Sequence, residues 1–156
     1  KLARASIAEK YYLETYAPVS NRAERLEKYE KALLYAANDP LLRGWYAYFL
    51  EDLDARIENA KIGLKRFPVS SLLNNMMGYF MKEKGDMEAA KNHLQIYITV
   101  HPDEPNAYDS MGDILLASGD TLQAKEMYLK AYELSRSLTT GPEDFFSTSK
   151  NKADAL

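Results

Sequence analysis

Any chemistry in this chain has to come from a short supply of reactive groups. His93 and His101 are its only imidazoles, and it has no cysteine. Without a thiol there is no thiolate nucleophile, disulfide or cysteine zinc site. The two histidines lie eight residues apart, one expected mid-helix and one in a turn before Pro102, whereas zinc asks for three or four ligands at tight spacing. There is no Gly-x-Ser-x-Gly elbow, no phosphate-cradling glycine loop and no dinucleotide glycine pattern. The remaining candidates are carboxylates. Asp109 and Asp113 stand four apart and so share one helix face, with Asp103 and Glu104 close by. Such a pair could draw a cation or a basic peptide, or form a plain solvated acidic face. No catalytic set, metal or cofactor is expected, and the chain reads as a non-enzyme.

The composition narrows the partners. At 156 residues, with 46% apolar and 28% charged residues, it reads as one ordinary globular domain. A net charge of −3, from 23 acids and 20 bases, argues against nucleic acid, which needs a concentrated basic face. No apolar run approaches the roughly 18 residues of a membrane helix, so membrane insertion is not expected. Twelve tyrosines, five phenylalanines and one tryptophan suit helices that use rings as wedges against their neighbours. The chain starts at Lys1 rather than at Met, which fits either a processed export signal or a fragment.

The elements that would position these groups follow from an internal echo. Gly78 and Gly112, Gly85 and Gly119, and Ala90 and Ala124 are each 34 residues apart. A fixed period of this size means stacked supersecondary units. Gly85-Asp86 and Gly119-Asp120 are turns, the glycine ending one helix at positive φ and the aspartate capping the next. Helices are therefore expected over 71–84, 87–100, 106–118 and 121–137. The echo extends backwards, because Gly44 precedes Gly78, and Pro68 precedes Pro102, by the same 34 residues. That earlier copy, with helices over 40–50 and from Asp54 as cap to before Pro68, lacks the Gly-Asp turn. Helices over 1–16 and 22–37 come first, the second capped by Ser20 or Asn21.

This pattern resembles the tetratricopeptide repeat. One copy supplies Asn74, Met77, Gly78, Met81, Ala90, Leu94, Tyr97 and Pro102; the next supplies Tyr108, Met111, Gly112, Leu115, Ala124, Tyr128 and Ala131. The resemblance covers residues 71–137, extends in part over 37–68, and is slight before that. It implies an all-α, right-handed superhelix of stacked antiparallel helix pairs within a single domain, residues 1–156. Residues 1–38 would form an N-terminal helical hairpin, 39–68 a degenerate repeat, 69–102 and 103–137 two full repeats, and 138–156 a C-terminal cap or tail. Phe145 and Phe146 are expected to fold back as the cap, and the polar 147–156 end otherwise to fray. The run Tyr108 to Gly112 is similar to segments of exported bacterial proteins, which implies a periplasmic rather than cytoplasmic setting.

In that family the first helix of each pair lines a concave groove. The resemblance places Leu41, Trp45 and Tyr48 there, then Leu72, Asn75, Tyr79 and Lys82, then Asn106, Asp109 and Asp113. Rings would bury partner side chains and asparagines would pair with a peptide backbone. Members that grip the acidic tails of heat-shock chaperones carry a lysine and an asparagine on one first helix, and further lysine and arginine on a later one, where this chain has Asn75 and Tyr79, then Asp109 and Asp113. A protein or peptide partner with a neutral or basic segment is therefore expected, rather than an acidic one. The alternative is a structural module that packs against another domain or forms a homodimer. On this reading Tyr79→Ala is expected to spare the fold and weaken the partner.

Overall fold

The computed structural model describes residues 10, 11, 13–19, 21–137 and 147–156. Among these the regular structure is entirely helical. The elements are α1 (Arg22–Leu33), α2 (Pro40–Phe49), α3 (Leu53–Arg66), α4 (Ser71–Lys84), α5 (Met87–Val100), α6 (Pro105–Ala117), α7 (Thr121–Ser137) and α8 (Ser147–Asp154). Residues 10, 11, 13 and 14 are also helical, Thr15 and Tyr16 form a turn so that this helix stops at 14 rather than at 16, and residues 1–9 and 12 lie outside the described residues, as do Phe145 and Phe146. The chain forms two compact units, Lys1–Met76 and Met77–Leu156.

In the second unit the turns close as the glycines require. Gly85 and Gly119 take φ of 87° and 85°. The Asp86 N–H reaches back to the Met81 carbonyl (2.9 Å), and the Asp120 N–H to that of Leu115 (2.9 Å). Each aspartate then accepts from the first turn of the next helix, Asp86 from the Ala89 N–H and Asp120 from the Gln123 N–H. A side-chain cap of this kind contributes about 1 kcal/mol. A Cβ on Gly78 would lie 2.9 Å from Leu94 Cγ, and one on Gly112 would lie 2.5 Å from Tyr128 Cε1. Both contacts are nearly symmetric about their turns, so each pair is antiparallel. Met111, Ile114, Leu115, Ala124, Tyr128 and Ala131 fill the seam between α6 and α7. The polar tail is helical over Ser147–Asp154, where α8 packs on α7 and buries Ser149 and Ala153.

The first unit meets the same requirements with other residues. Its cap for α3 is Asp52, which accepts from the Ala55 N–H at 2.8 Å, and not the expected Asp54. Asp52 stands 34 residues before Asp86, so the repeat kept its aspartate and lost only the glycine, replaced by Glu51. The α2 C-cap carbonyl, Leu50 O, accepts from a guanidinium, Arg56 Nε donating to it at 2.6 Å. Arg43 does the same for Ala37 O and Arg22 for Phe49 O, both at 2.6 Å. Terminal carbonyls must find donors, and arginine is an alternative source. α1 ends at Leu33 rather than at 37, and turns follow to Asn38; Asp39, extended before Pro40, caps α2 through the Leu42 N–H. Tyr29, Ala32, Leu33 and Leu42 form the core here, flanked by Tyr11, Ala36, Tyr46 and Phe49.

The junctions between successive repeats also echo in different chemistry. Asn74 Nδ2 donates to Pro68 O at 2.9 Å, and one period later the Tyr108 hydroxyl donates to Pro102 O at 2.8 Å. An amide and a phenol serve one purpose, which is to satisfy the proline carbonyl at the end of the preceding helix.

Gly112→Ala is expected to cost about 1–3 kcal/mol, because the new methyl meets a fully buried ring, and Gly112→Leu to unfold the pair. Gly85→Ala, with open space around it but positive φ, is expected to cost about 1 kcal/mol. Urea melts of the variants check this order, which an unchanged Gly112→Leu midpoint would refute.

Candidate functional site

Asp113 is the centre of the polar chemistry in the second unit. It sits on α6 one residue after Gly112, so the close helix crossing brings Tyr128 of α7 beneath it. The Tyr128 hydroxyl donates to Asp113 Oδ1 at 2.8 Å. The Tyr79 hydroxyl, from α4, donates to Asp113 Oδ2 at 2.9 Å and lies 3.3 Å from the Ser110 hydroxyl. Lys152 of α8 completes the set, its ammonium donating to Asp113 Oδ1 at 2.8 Å and to Asp109 Oδ2 at 2.9 Å. The Ser149 hydroxyl donates to the other oxygen of Asp109. The two acids are therefore no plain solvated face: they hold a lysine. Lys152 also lies over the Tyr128 ring, 5.0 Å from its centroid.

The protonation states follow from this geometry. Burial alone would push the Asp113 carboxyl up, but the bonds from Lys152, Tyr128 and Tyr79 outweigh it and hold the group below the usual carboxylate range. Burial would likewise lower the Lys152 ammonium, and the bonds to Asp113 and Asp109 raise it instead. The phenols of Tyr79 and Tyr128 are pushed well above their ordinary value, first by burial and then by the negative Asp113 beside them. The arrangement is an acid locked in its charged form, two phenols locked neutral and a locked cation. It binds charge and has no group poised to exchange a proton near neutral pH.

The other sequence-derived candidates are placed as follows. Lys82 lies over the Tyr79 ring at 5.0 Å, which ties it to the edge of the same cluster. Asn106 is hydrogen-bonded to the Tyr97 hydroxyl and so faces α5. In the first unit, Trp45 and Tyr48 are exposed, Tyr48 by 56%, and they meet edge to face with centroids 5.8 Å apart. Asn75 is half-buried, and its carbonyl oxygen is shut off from water with no donor. His93 is half-buried, and burial lowers its imidazole pKa. His101 sits beside the Tyr97 ring. Among the described residues no three His, Cys, Asp or Glu side chains converge as a metal would need, and no helix is long and apolar enough to cross a membrane. Sequence reasoning missed Ser149 and Lys152. Their only signal was the spacing of Ser149, Lys152 and Ala153 on one face of a polar tail.

Comparison with solved structures settles the architecture. PilF of Pseudomonas aeruginosa superposes with a TM-score of 0.75 over 86% of this chain, at 20% identity. The fold is tetratricopeptide-like. Two MamA structures agree: one gives a TM-score of 0.66 over 96% of this chain and 93% of its own length, at 18% identity. MamA of Desulfovibrio magneticus gives 0.65 over 76% of this chain and 69% of its own length, at 16% identity. This chain spans 64% of the length of PilF. No family model matches the sequence, and no curated protein does. In this tetratricopeptide-like frame Tyr79, one turn from the end of α4, is part of the packing, so Tyr79→Ala removes hydrogen bonds that the fold uses. Tyr79→Phe is the milder probe.

Asp113, lowered in the folded state, contributes stability that is present above the unfolded carboxyl value of about 4 and is lost as pH falls through its lower folded value. Asp113→Asn is expected to lower the urea midpoint at neutral pH and to shrink its further fall on acidification. Tyr128, raised in the folded state, contributes stability that is present below about pH 10 and is lost as pH rises above it. Tyr128→Phe should blunt that alkaline loss in the same melts.

Proposed function

We propose that the chain is a non-catalytic protein-interaction module that takes a neutral or basic segment of a partner protein or peptide. The observation that carries this reading is the seating of a lysine between Asp109 and Asp113. Two carboxylates four residues apart accept one ammonium, with Tyr79 and Tyr128 fixing the geometry of Asp113. That surface repels an acidic ligand and attracts a basic one. Taken by itself, the first unit exposes Trp45 and Tyr48, rings of the kind that anchor partner side chains. The tetratricopeptide-like fold is the context, and the bound segment is assigned by the chemistry of these residues.

The exposure of Tyr16, Leu34 and Tyr35, at 61%, 79% and 43%, favours a second reading in which the first unit packs on another domain or on a second copy. Sedimentation of the purified chain over a range of concentrations separates the two.

Trp45→Ala and Tyr48→Ala touch exposed rings and are expected to change stability by no more than about 0.5 kcal/mol. On an immobilised peptide panel graded in charge, the parent chain should prefer neutral and lysine-bearing peptides, with binding that weakens in salt. Asp109→Asn should reduce the binding of lysine-bearing peptides about tenfold. A preference for acidic peptides would sink the proposal.

A further inference from the structure

We propose that α8 is a detachable latch: a helix of this chain that occupies a lysine-accepting site on α6 and gives it up to a competing lysine-bearing helix. The proposal rests on reading the chain as an interaction module and names the site and its regulation.

Polar contacts to α6 hold α8 down. It is eight residues long, Ser-Thr-Ser-Lys-Asn-Lys-Ala-Asp, too short to be a stable helix alone. Its buried residues are Ser149 and Ala153, so docking removes little apolar surface from water. Its position then depends on polar contacts. Lys152 bridges Asp109 and Asp113, Ser149 donates to Asp109, and Lys150 lies 5.9 Å from the Tyr132 ring centroid. The Lys152 side chain is 36% exposed, and the carboxylates it meets are 19% and 24% exposed. Water and salt therefore reach the contact and weaken it. The α6–α7 pair is different in kind, closed by Met111, Ile114, Leu115 and the fully buried Tyr128.

Next comes what remains when α8 leaves. Asp113 keeps the Tyr79 and Tyr128 hydroxyls on its two oxygens, so its orientation does not depend on Lys152. Asp109 loses the partners on both of its oxygens. The result is a preformed site with one oriented carboxylate and one freed carboxylate a helical turn away. The segment that fits has a hydroxyl and an ammonium three residues apart on one helical face, as Ser149 and Lys152 are. A partner with that spacing and more apolar surface would displace α8.

Hydrogen exchange on the full chain tests the latch without any partner, so this test and that of the interaction reading fail independently. Raising salt from about 0.1 to 1 M should speed exchange in residues 148–154 by about tenfold and leave 105–137 unchanged. Lys152→Met should do the same at low salt, and Lys152→Arg should restore protection. Exchange of 147–154 in step with 121–137 under all these conditions would overturn the proposal. In the second arm, a synthetic peptide of residues 147–156 is added to the Lys152→Met chain. The Asp109 and Asp113 amide resonances should shift, and a peptide carrying Lys152→Met should leave them in place. Equal shifts with both peptides, or none with either, would overturn the lysine site.

Discussion

The close approach of paired helices at Gly112 is the constraint on which the second unit depends. A Cβ there would sit 2.5 Å from the Tyr128 ring. The missing side chain lets the ring lie against the α6 backbone, which closes the seam. It also sends the Tyr128 hydroxyl past the glycine to the next residue, Asp113. One steric allowance therefore creates both the packing and the polar cluster. Gly78 plays the steric part alone, because its partner Leu94 has no polar tip to deliver. The charge-binding chemistry arises where the repeat combines a glycine, a tyrosine sixteen residues on, and an aspartate next to the glycine.

Helix ends show how far a repeat can drift while its physical demands stay fixed. The last carbonyls of each helix need donors. Gly85 and Gly119 supply them from backbone N–H groups by turning at positive φ. Where Glu51 stands instead, Arg56 and Arg22 bring guanidinium groups to the same end of α2, at Leu50 O and Phe49 O, and Arg43 serves Ala37 O in the connection after α1. Arginine at these places is read most simply as structural. The first unit thus spends arginines on its own backbone, while Trp45 and Tyr48 stay exposed, as do Tyr16, Leu34 and Tyr35.

The helices at 71–84, 87–100 and 121–137 were legible to the residue, because Gly-Asp turns and prolines act on the backbone locally. The end of α1 and the cap of α3 were not. α1 stops at Leu33 and gives way to turns that run to Asn38, and Asp52 rather than Asp54 caps α3 because α3 starts at Leu53, which puts Asp54 inside its first turn. Asp109 and Asp113 could be placed on one face from their spacing. That they hold a lysine could not, since the cation comes from 39 residues beyond Asp113.

The sequence by itself determined the repeat, its turns and the small residues at the crossings, because each is a local demand of backbone geometry or of contact distance along a 34-residue period. Tertiary structure alone decided what the non-repeating residues do. Asp113 became the hub of two phenols and an ammonium, Asn106 turned to Tyr97, and a polar tail became a docked helix. Those outcomes depend on groups far apart in the chain meeting in one partly desolvated place, and no spacing rule along the chain encodes such a meeting.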